Sequence, residues 1–252
     1  MKIEDSVALV TGANRGIGEA LVRALLAAGA RKVWVGARDA ASADHLAAEA
    51  PGRAVPIPLD VTRPDQITAA ADLCRDVSIL INNAGAFLDQ RLIGAISLDA
   101  AREEMEVNYF GPVGLARAFA PILKANGGGA IVNVLSSGGL VAVPNMGGYS
   151  PSKFAGRAAT TSIRAELAGQ NTQVTALIVG SVDTRMAAHV AGRKEAPADI
   201  AKAALAAIRH AIDELDTDHM AIEVRAAMAR DPKALERGMA RMLSQETIST
   251  GR

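Results

Sequence analysis

The sequence predicts one α/β domain built as a doubly wound sheet, in which parallel strands are covered by helices on both faces. Short apolar runs of strand length alternate with amphipathic helical patterns along most of the chain. Strands separated by helices form βαβ units, and such units build a parallel sheet. The 252 residues, half of them hydrophobic, fit a single domain of this kind, which we expect to cover residues 1–252.

Six segments have the length and apolar character of buried strands. The first leads directly into a glycine-rich turn, and the third contains prolines. The predicted strands cover residues 7–10, 32–37, 54–59, 77–82, 130–135 and 174–179. A seventh strand between residues 213 and 224 stays an open alternative, because much of that segment is acidic and poor in β-branched residues.

Helical patterns fill the intervals between these strands. Gly29 ends the first helix, and Pro64 suits the first turn of the third. The long fourth helix contains Gly111 and Pro112, where we expect a bend. The predicted helices cover residues 19–28, 40–50, 64–75, 99–125, 149–169, 197–212 and 221–243.

Composition disfavours several function classes. Lys and Arg total 27, as do Asp and Glu, so net charge provides no bulk attraction to nucleic acid or to an anionic membrane. Cys74 is the only cysteine, which excludes an intrachain disulfide, and the four histidines lack the pattern of a metal site. No apolar stretch approaches the ~20 residues of a membrane span, and the first residues do not resemble a secretory signal. We therefore expect a soluble cytoplasmic protein without a bound metal.

Three glycines, Gly12, Gly16 and Gly18, lie between the first strand and the first helix. Glycine permits a tight turn and lets main-chain N–H groups approach a pyrophosphate, while the positive end of the helix dipole favours an anion. Strand, glycine-rich turn and helix are the context that a dinucleotide-binding fingerprint requires, although the spacing here is T-G-x-x-x-G-x-G. A turn that merely needs glycine is the alternative, which three glycines at one junction disfavour.

Tyr149 and Lys153 lie four residues apart in a predicted helix, so they share one face. An ammonium beside a phenol favours the phenolate, and we expect Lys153 to lower the pKa of Tyr149 from its ordinary value of about 10. A phenol tuned in this way exchanges a proton with a carbonyl or alcohol oxygen. Taken alone, the pair favours the alternative of two solvated side chains on a helix surface.

The candidate residues follow different strands but come at the same end of each. Residues 12–18 follow the first strand, residues 82–85 the fourth, Ser136 the fifth and residues 180–184 the sixth. Open parallel sheets bind ligands at the carboxyl ends of their strands. The sequence therefore predicts one site along that edge of the sheet.

The glycine spacing, the run Asn82-Asn83-Ala84-Gly85, a serine ahead of the tyrosine, and Y-x-x-x-K occur in an order typical of one family. Over about residues 5–185 the chain resembles the short-chain dehydrogenase/reductase superfamily in its short, single-domain form. The resemblance implies a Rossmann-like fold, binding of NAD(P), and reversible carbonyl–alcohol interconversion by hydride transfer. It also implies a short substrate lid near residues 185–198 and a homodimer or homotetramer.

The resemblance implies a catalytic tetrad of Asn108, Ser136, Tyr149 and Lys153. The family serine generally lies thirteen residues before the tyrosine, which selects Ser136 and leaves Ser137 as the alternative. In the implied mechanism Tyr149 is the general acid in reduction, Ser136 polarises the substrate carbonyl, and Lys153 lowers the pKa of Tyr149 and binds the nicotinamide ribose. The main-chain carbonyl of Asn108 holds a water in the family's proton relay, and a plain hydrogen-bonding role in the core is compatible with this.

Two arginines favour NADP(H) over NAD(H). An acidic residue at the end of the second strand would bind the ribose 2′-hydroxyl of NAD, but this chain has Ala37 and then Arg38, and Arg15 lies in the glycine turn. Guanidinium groups bind a phosphate through charge-assisted bonds, and the resemblance links arginines at these positions to NADP. A surface salt bridge between Arg38 and Asp39 is the alternative. The implied cofactor contacts are Gly12, Asn14, Arg15, Gly16, Ile17, Gly18, Arg38, Asp60, Val61, Asn82, Ala84, Gly85, Tyr149, Lys153, Gly180, Val182 and Thr184.

The substrate is less well defined by the sequence. The family usually has proline before Gly180 where this chain has Val179, and we expect a modest effect on catalysis. We favour a general carbonyl reductase acting on aldehydes or ketones. A non-catalytic NADP(H)-binding sensor is disfavoured because both Tyr149 and Lys153 are present, and a 3-oxoacyl-thioester reductase stays open. Candidate pocket walls are Phe87, Leu88, Val141, Val143 and Met146.

Overall fold

Seven parallel strands form one sheet in the computed structural model of the chain, which describes residues 1–188 and 190–249. The strands are β1 (Val7–Thr11), β2 (Lys32–Ala37), β3 (Ala54–Pro58), β4 (Ile79–Asn82), β5 (Gly129–Val134), β6 (Thr172–Ile178) and β7 (Glu214–Asp216). They pair in the order β3-β2-β1-β4-β5-β6-β7. The predicted fold class and the six predicted strands are confirmed.

Helices connect these strands and cover both faces of the sheet. They are α1 (Gly16–Ala27), α2 (Asp44–Glu49), α3 (Pro64–Leu73), α4 (Asp99–Met105), α5 (Gly111–Ala125), α6 (Tyr149–Leu167), α7 (Pro197–His210), α8 (His219–Arg230) and α9 (Pro232–Ser249). The segment 40–50 is only partly α-helical, because a short 3₁₀ turn precedes α2. Among the described residues, no helix has the length and apolar character needed to cross a bilayer.

The direction of strand addition reverses at β1, which pairs with both β2 and β4. Leu9 is the partner of Trp34 on one side and of Leu80 on the other. The connection after β1 packs on one face and the connection after β4 on the opposite face, so a crevice opens between them at the carboxyl ends of these strands. The fold thus provides a ligand crevice where the sequence motifs were expected to meet.

The core has one layer on each face of the sheet. Leu9 and Val10 are adjacent in β1 but lie in different layers, because successive side chains of a strand point to opposite faces. Val10 belongs to the layer that contains Leu25 of α1, and Leu9 to the layer that contains Phe119 of α5 and Leu80. Burial on both faces explains why these strands are almost continuously apolar in sequence.

The long helix predicted over residues 99–125 is broken into three parts. Helix α4 ends at Met105, a single π-helical turn covers Glu106–Phe110, and α5 begins at Gly111. The break falls directly before Gly111 and Pro112, at the place where a bend was expected. Proline lacks an N–H and its ring crowds the preceding turn, which favours an irregular turn here. The irregular turn contains Asn108, whose side chain is buried.

The open question of a seventh strand is answered by β7, which pairs with β6 at the sheet edge. Two of its three residues, Glu214 and Asp216, are acidic and fit poorly with strand propensity. Their charges are paired with arginines from neighbouring helices: Arg157 of α6 lies 2.8 Å from Glu214, and Arg225 of α8 contacts both carboxylates. Arg157 and Arg225 lie on helices outside the strand segment, so the pattern of the strand itself did not reveal these ion pairs.

The segment predicted as a substrate lid, residues 185–198, is short and largely irregular. It begins with a 3₁₀ turn at Arg185–Ala187, and an isolated parallel bridge joins Val182 to Glu195 at its base. His189, which lies in this predicted lid, is outside the described residues. The helical region predicted over residues 221–243 is divided between α8 and α9 at Asp231, directly before a proline.

Candidate active site

The glycine-rich turn leaves β1 in a backbone conformation and at a packing distance that both require glycine at position 12. Gly12 has a φ of +60°, and a Cβ placed on it would lie 2.9 Å from the Cα of Ala84. Helix α1 then begins at Gly16, and its N-cap residue, Arg15, makes no side-chain capping bond. Because no side chain caps them, the first N–H groups of α1 are available to an anion, which the helix dipole also favours.

The turn after β4 is tied to the glycine turn by hydrogen bonds from both sides. The Thr11 hydroxyl oxygen accepts the N–H groups of Asn83 and Ala84, each at 3.0 Å. The Asn83 side-chain amide donates to the carbonyls of Thr11 (2.9 Å) and Gly12 (3.1 Å). The sequence analysis assigned roles to the neighbours of Asn83 but not to Asn83 itself. The sequence did contain a signal for Asn83, because it is a polar residue directly after a buried strand, at the edge of a parallel sheet where ligands bind.

Asn82 faces the interior of the sheet. Its side chain is buried, and its amide donates to Asn133 Oδ1 of β5 at 2.7 Å. Asn133 in turn donates to the Thr160 hydroxyl of α6 at 2.9 Å. The side chain that the sequence placed beside the cofactor thus links two strands and a helix, and any contact of Asn82 with a cofactor is left to its main chain.

The segment after β6 borders the crevice and packs against the glycine turn. The Thr184 methyl group would lie 3.3 Å from a Cβ at Gly16, so Thr184 lies against that turn. Gly180 is anchored because its N–H donates to Asp218 Oδ2 at 2.6 Å, while Asp218 Oδ1 caps α8 at the N–H of Ala221. Asp218 therefore holds the turn in which Val179 replaces the usual proline. The sequence analysis missed Asp218, although an aspartate before a helical pattern is an N-cap signal.

The two arginines predicted to favour NADP(H) are both exposed. Arg15 lies at the start of α1 and Arg38 directly follows β2. Within the part of the chain that the structure describes, neither has an acidic partner, and Asp39 instead accepts the N–H of Ala41. The alternative of an Arg38–Asp39 salt bridge is therefore not realised.

Asp60 and Val61, the predicted adenine contacts, directly follow Leu59, the first residue after β3. Asp60 Oδ1 accepts both the N–H and the hydroxyl of Thr62, at 3.0 and 2.8 Å, which orders this turn. Val61 is buried and lies close to Gly111 at the start of α5. A glycine cradle, an uncapped helix start and two unpaired guanidiniums together fit a phosphorylated nicotinamide dinucleotide.

Ser136 and Tyr149 come from different elements but lie close together, because a Cβ placed on Gly138 would lie 3.5 Å from the Ser136 Oγ and 3.7 Å from a ring carbon of Tyr149. Ser136 follows β5, and its hydroxyl oxygen accepts the N–H of Gly138 at 3.1 Å. Tyr149 is the first residue of α6. Ser137 is buried and donates its N–H to Val179 instead. Of the two adjacent serines, the structure therefore brings Ser136 to the phenol.

Lys153 lies one helical turn beyond Tyr149 and is almost fully buried. Its Nζ is 5.5 Å from the centre of the Tyr149 ring and donates to the carbonyl of Val134 at 3.1 Å. A Cβ on Gly85 would lie 3.7 Å from this nitrogen, so Lys153 also borders the turn after β4. Desolvation lowers the pKa of Lys153 from 10.5 to about 8.

The pKa of Tyr149 differs in direction from the sequence expectation. Burial raises it above the ordinary value of 10, the nearby Ser136 hydroxyl opposes that rise, and the carboxylate of Glu104 adds to it. The lowering that we expected from Lys153 is absent, and burial of Lys153 disfavours the ammonium form whose charge would stabilise a phenolate. The phenol in this arrangement holds its proton firmly.

Asn108 uses its whole side chain to join the loop after β4 to helix α6. Its Oδ1 accepts the N–H of Ala86, and its Nδ2 donates to the carbonyl of Ala86 and to the Ser152 hydroxyl, all at 2.9 Å. Its main-chain oxygen faces α6, 3.4 Å from where a Cβ of Gly156 would lie. The core hydrogen-bonding role that the sequence allowed is thus present.

One of the predicted pocket walls, Phe87, contacts the phenol ring. The Phe87 ring meets the Tyr149 ring edge-on, with centroids 5.2 Å apart and planes at 74°. Among the other predicted walls, Val141 is buried, Val143 and Met146 are half-buried, and Leu88 is exposed. No group of three or more His, Cys, Asp or Glu residues in the described ranges could hold a metal ion.

Replacing Lys153 by Met should raise stability at neutral pH. Lys153 binds its proton more weakly in the folded chain than in the unfolded chain, so its buried charge costs on the order of 3 kcal/mol below about pH 8. That cost fades as the pH rises from about 8 to 10.5, so the gain in Tm should shrink over the same range. Lys202→Met removes an exposed lysine of α7 and serves as the control in thermal unfolding. A gain that is equal for both variants, or independent of pH, would contradict the burial argument.

Comparison with known proteins identifies the family. The family model for short chain dehydrogenase matches residues 6–195. A crystal structure of a short chain dehydrogenase from Burkholderia cenocepacia J2315 in complex with NADP has a TM-score of 0.90 at 42% sequence identity, covering 95% of this chain and 99% of the other. Galactitol 2-dehydrogenase (L-tagatose-forming) of Cereibacter sphaeroides is 40% identical over 203 residues, which are 77% of this chain and 78% of that protein.

A more distant relative is the dehydrogenase/reductase SDR family member 7B of Mus musculus. It is 33% identical over 195 residues, which are 73% of this chain. The match covers 60% of that protein, so the chain spans less than two thirds of this relative. With the parallel sheet and the geometry of the glycine turn, these matches lead to one conclusion: the chain belongs to the short-chain dehydrogenase/reductase superfamily.

Proposed function

We propose that the protein is an NADP(H)-dependent oxidoreductase that interconverts a carbonyl and an alcohol by hydride transfer, with Tyr149 as the general acid/base. Membership of the family supports the oxidoreductase class. The observation that carries the finer proposal is the assembly of Ser136, Tyr149 and Lys153, with Lys153 bordering Gly85 in the turn after β4. Three side chains from two elements thus converge on one point of the crevice edge.

Tyr149 performs the proton transfer in this proposal. The nicotinamide, when bound, supplies or accepts the hydride. In reduction, the Tyr149 phenol donates its proton to the substrate oxygen as negative charge develops there, and in oxidation the phenolate removes the alcohol proton. Ser136 orients the same oxygen in this proposal, since its hydroxyl and the Tyr149 ring both border Gly138.

Lys153 supplies positive charge beside the phenol. Its Nζ borders Gly85 and the Tyr149 ring, and its bond to the Val134 carbonyl holds the side chain in place. A pKa near 8 means that Lys153 can lose and regain a proton close to neutral pH. This property suits a group that returns protons to Tyr149 after each turnover.

Arg15 and Arg38 support NADP(H) as the preferred cofactor. Both are exposed at the end of the crevice where the adenosine ribose of a dinucleotide would lie, and no described carboxylate neutralises them. A 2′-phosphate would pair with these guanidiniums, whereas a 2′-hydroxyl leaves their charge unused. The similar Burkholderia structure is a complex with NADP, which agrees with this preference.

The substrate in this proposal is an aldehyde or ketone, or the corresponding alcohol. Phe87, Val143 and Met146 give the entrance beside Tyr149 an apolar lining. The similar enzyme of Cereibacter sphaeroides is named for oxidation at position 2 of galactitol, which is a secondary alcohol. Secondary alcohols and ketones are therefore the first compounds to test.

A panel assay tests the function directly. NADPH oxidation would be followed with ketones, aldehydes, diketones and 3-oxoacyl thioesters, with polyols and NADP⁺ for the reverse direction. Tyr149→Phe should lower turnover of any active substrate by about 10³-fold or more and leave the Kd for NADPH within about twofold, because it removes only the proton donor. Substantial activity of this variant would refute the role of Tyr149. Tight NADPH binding without turnover of any compound would favour a sensor.

Cofactor preference is tested by Arg38→Ala. Loss of one charge-assisted bond to the 2′-phosphate should raise the Kd for NADPH by about 10- to 100-fold, while the Kd for NADH stays within about twofold. Arg31→Ala is the matched control, because Arg31 is exposed and precedes the opposite end of β2. Fluorescence titration of each dinucleotide gives the constants. Parallel weakening of both dinucleotides would show that Arg38 does not distinguish them.

A homodimer or homotetramer is proposed as the assembly. Phe110, at the end of the π turn, is 51% exposed, and Phe154 of α6 is 40% exposed. Exposed aromatic side chains are typical of interface centres. Light scattering coupled to gel filtration should give a mass at least twice that of the 26.0 kDa chain, and a monomeric mass would refute the proposal.

A further inference from the structure

A buried carboxyl group lies against Gly148, the residue before Tyr149, and has no part in the mechanism above. Glu104 is in α4, one helical turn before Asn108, and is only 2% exposed. Glutamate is almost never buried to this extent without a specific partner. Burying the Glu104 carboxyl group costs free energy, so we expect contacts that offset this cost and a role in the site.

The Glu104 carboxyl group lies between the loop after β4 and the start of α6. Its Oε1 accepts the N–H of Leu88 at 2.7 Å. On the other side, a Cβ on Gly148 would overlap Oε2, so the residue before Tyr149 packs against the carboxyl group at backbone distance. The burial of Glu104 thus depends on two segments that are far from it in sequence.

Glu104 and Asn108 hold alternate residues of one loop segment. Asn108 binds Ala86 through both its N–H and its carbonyl, and Glu104 binds Leu88. Phe87 lies between these two fixed points, and its ring is the one that contacts the edge of Tyr149. Fixing the main chain on both sides of Phe87 restricts where its ring can lie.

The Glu104 charge also acts on the phenol. Burial raises the pKa of Tyr149 most, the Ser136 hydroxyl after β5 lowers it, and the Glu104 carboxylate of α4 raises it further. Burial and the neighbouring charges of Glu103 and Asp89 raise the pKa of Glu104 itself, and the Leu88 N–H opposes this.

We propose that Glu104 is a positioning residue for Tyr149, which holds the segment 86–88 so that the Phe87 ring stays against the phenol. The proposal rests on the proposed function, because it assumes that Tyr149 transfers the proton. The negative charge of Glu104 also keeps the Tyr149 phenol protonated to a higher pH. The form of Tyr149 that donates a proton to a carbonyl is thereby maintained.

Direct titration of Tyr149 tests the charge effect without any turnover. The chain has two tyrosines, so Tyr109→Phe leaves Tyr149 as the only source of a phenolate absorption band. In this background, Glu104→Gln should move the midpoint of phenolate formation down by roughly 1 pH unit, because the amide is neutral. Glu103→Ala removes the adjacent, exposed carboxylate and should leave the midpoint nearly unchanged. An unchanged midpoint in the Gln variant would overturn the charge effect.

Kinetics separate positioning from charge. Gln retains an oxygen that can accept the Leu88 N–H, so Glu104→Gln should retain kcat/KM within about threefold at neutral pH, whereas Glu104→Ala should lose about tenfold, the effect of one broken hydrogen bond. If Glu104 acts through Phe87, the double variant Glu104→Ala/Phe87→Ala should be no worse than Phe87→Ala alone. The Kd for NADPH should stay within about twofold throughout. Independent, multiplicative losses would overturn the positioning role.

The outcomes distinguish this proposal from the function on which it rests. Activity retained by Tyr149→Phe removes the proposed function, and the titration still reports whether Glu104 controls the phenol. Loss of activity in Tyr149→Phe, with wild-type kinetics in Glu104→Ala, removes only the positioning role. If Glu104→Ala does not fold, Glu104→Gln and Phe87→Ala decide: wild-type kinetics in Phe87→Ala would show that the ring contact has no consequence.

Discussion

The turn after β1 and the turn after β4 touch at backbone distance, and the rest of the site is arranged around that contact. Gly12 has no room for a side chain beside Ala84, and the Thr11 hydroxyl and the Asn83 amide join the two turns through four hydrogen bonds. The turn after β4 also contains Gly85, which borders Lys153. One rigid junction therefore positions both the uncapped start of α1 and the side chains around the phenol.

Burial opposes ionisation at every titratable group near the phenol. It lowers the pKa of Lys153 and raises the pKa values of Tyr149 and Glu104, so each group is displaced towards its neutral form. Neighbouring groups, such as the Ser136 hydroxyl and the Glu104 carboxylate, then influence where a proton resides. Perturbed titration concentrated in one crevice is typical of a catalytic centre. The protonation states of these groups therefore depend on how the whole site packs, and no single sequence motif determines them.

The irregular turn at Glu106–Phe110 connects the fold to this chemistry. It changes the course of the helix before α5 and places Asn108 in the interior, where its amide ties Ala86 to Ser152. Glu104, one turn earlier, reaches the same loop at Leu88. Substrate-side residues such as Phe87 are thus supported by a helix whose regularity is interrupted at the site. Irregular helical turns of this kind are frequent at functional sites.

The sequence by itself determined the sheet, most helix limits and the positions of the glycine turn, Ser136, Tyr149 and Lys153, because apolar periodicity and motif spacing are local properties. Only the tertiary structure decided that Asn82 faces β5, that Asp218 anchors Gly180, that acidic β7 joins the sheet, and that Glu104 is buried. It also decided that burial raises the pKa of Tyr149, whereas the neighbouring Lys153 had led us to expect a lower pKa. These features depend on burial and on partners tens of residues away, and neither is encoded in the spacing of a short segment.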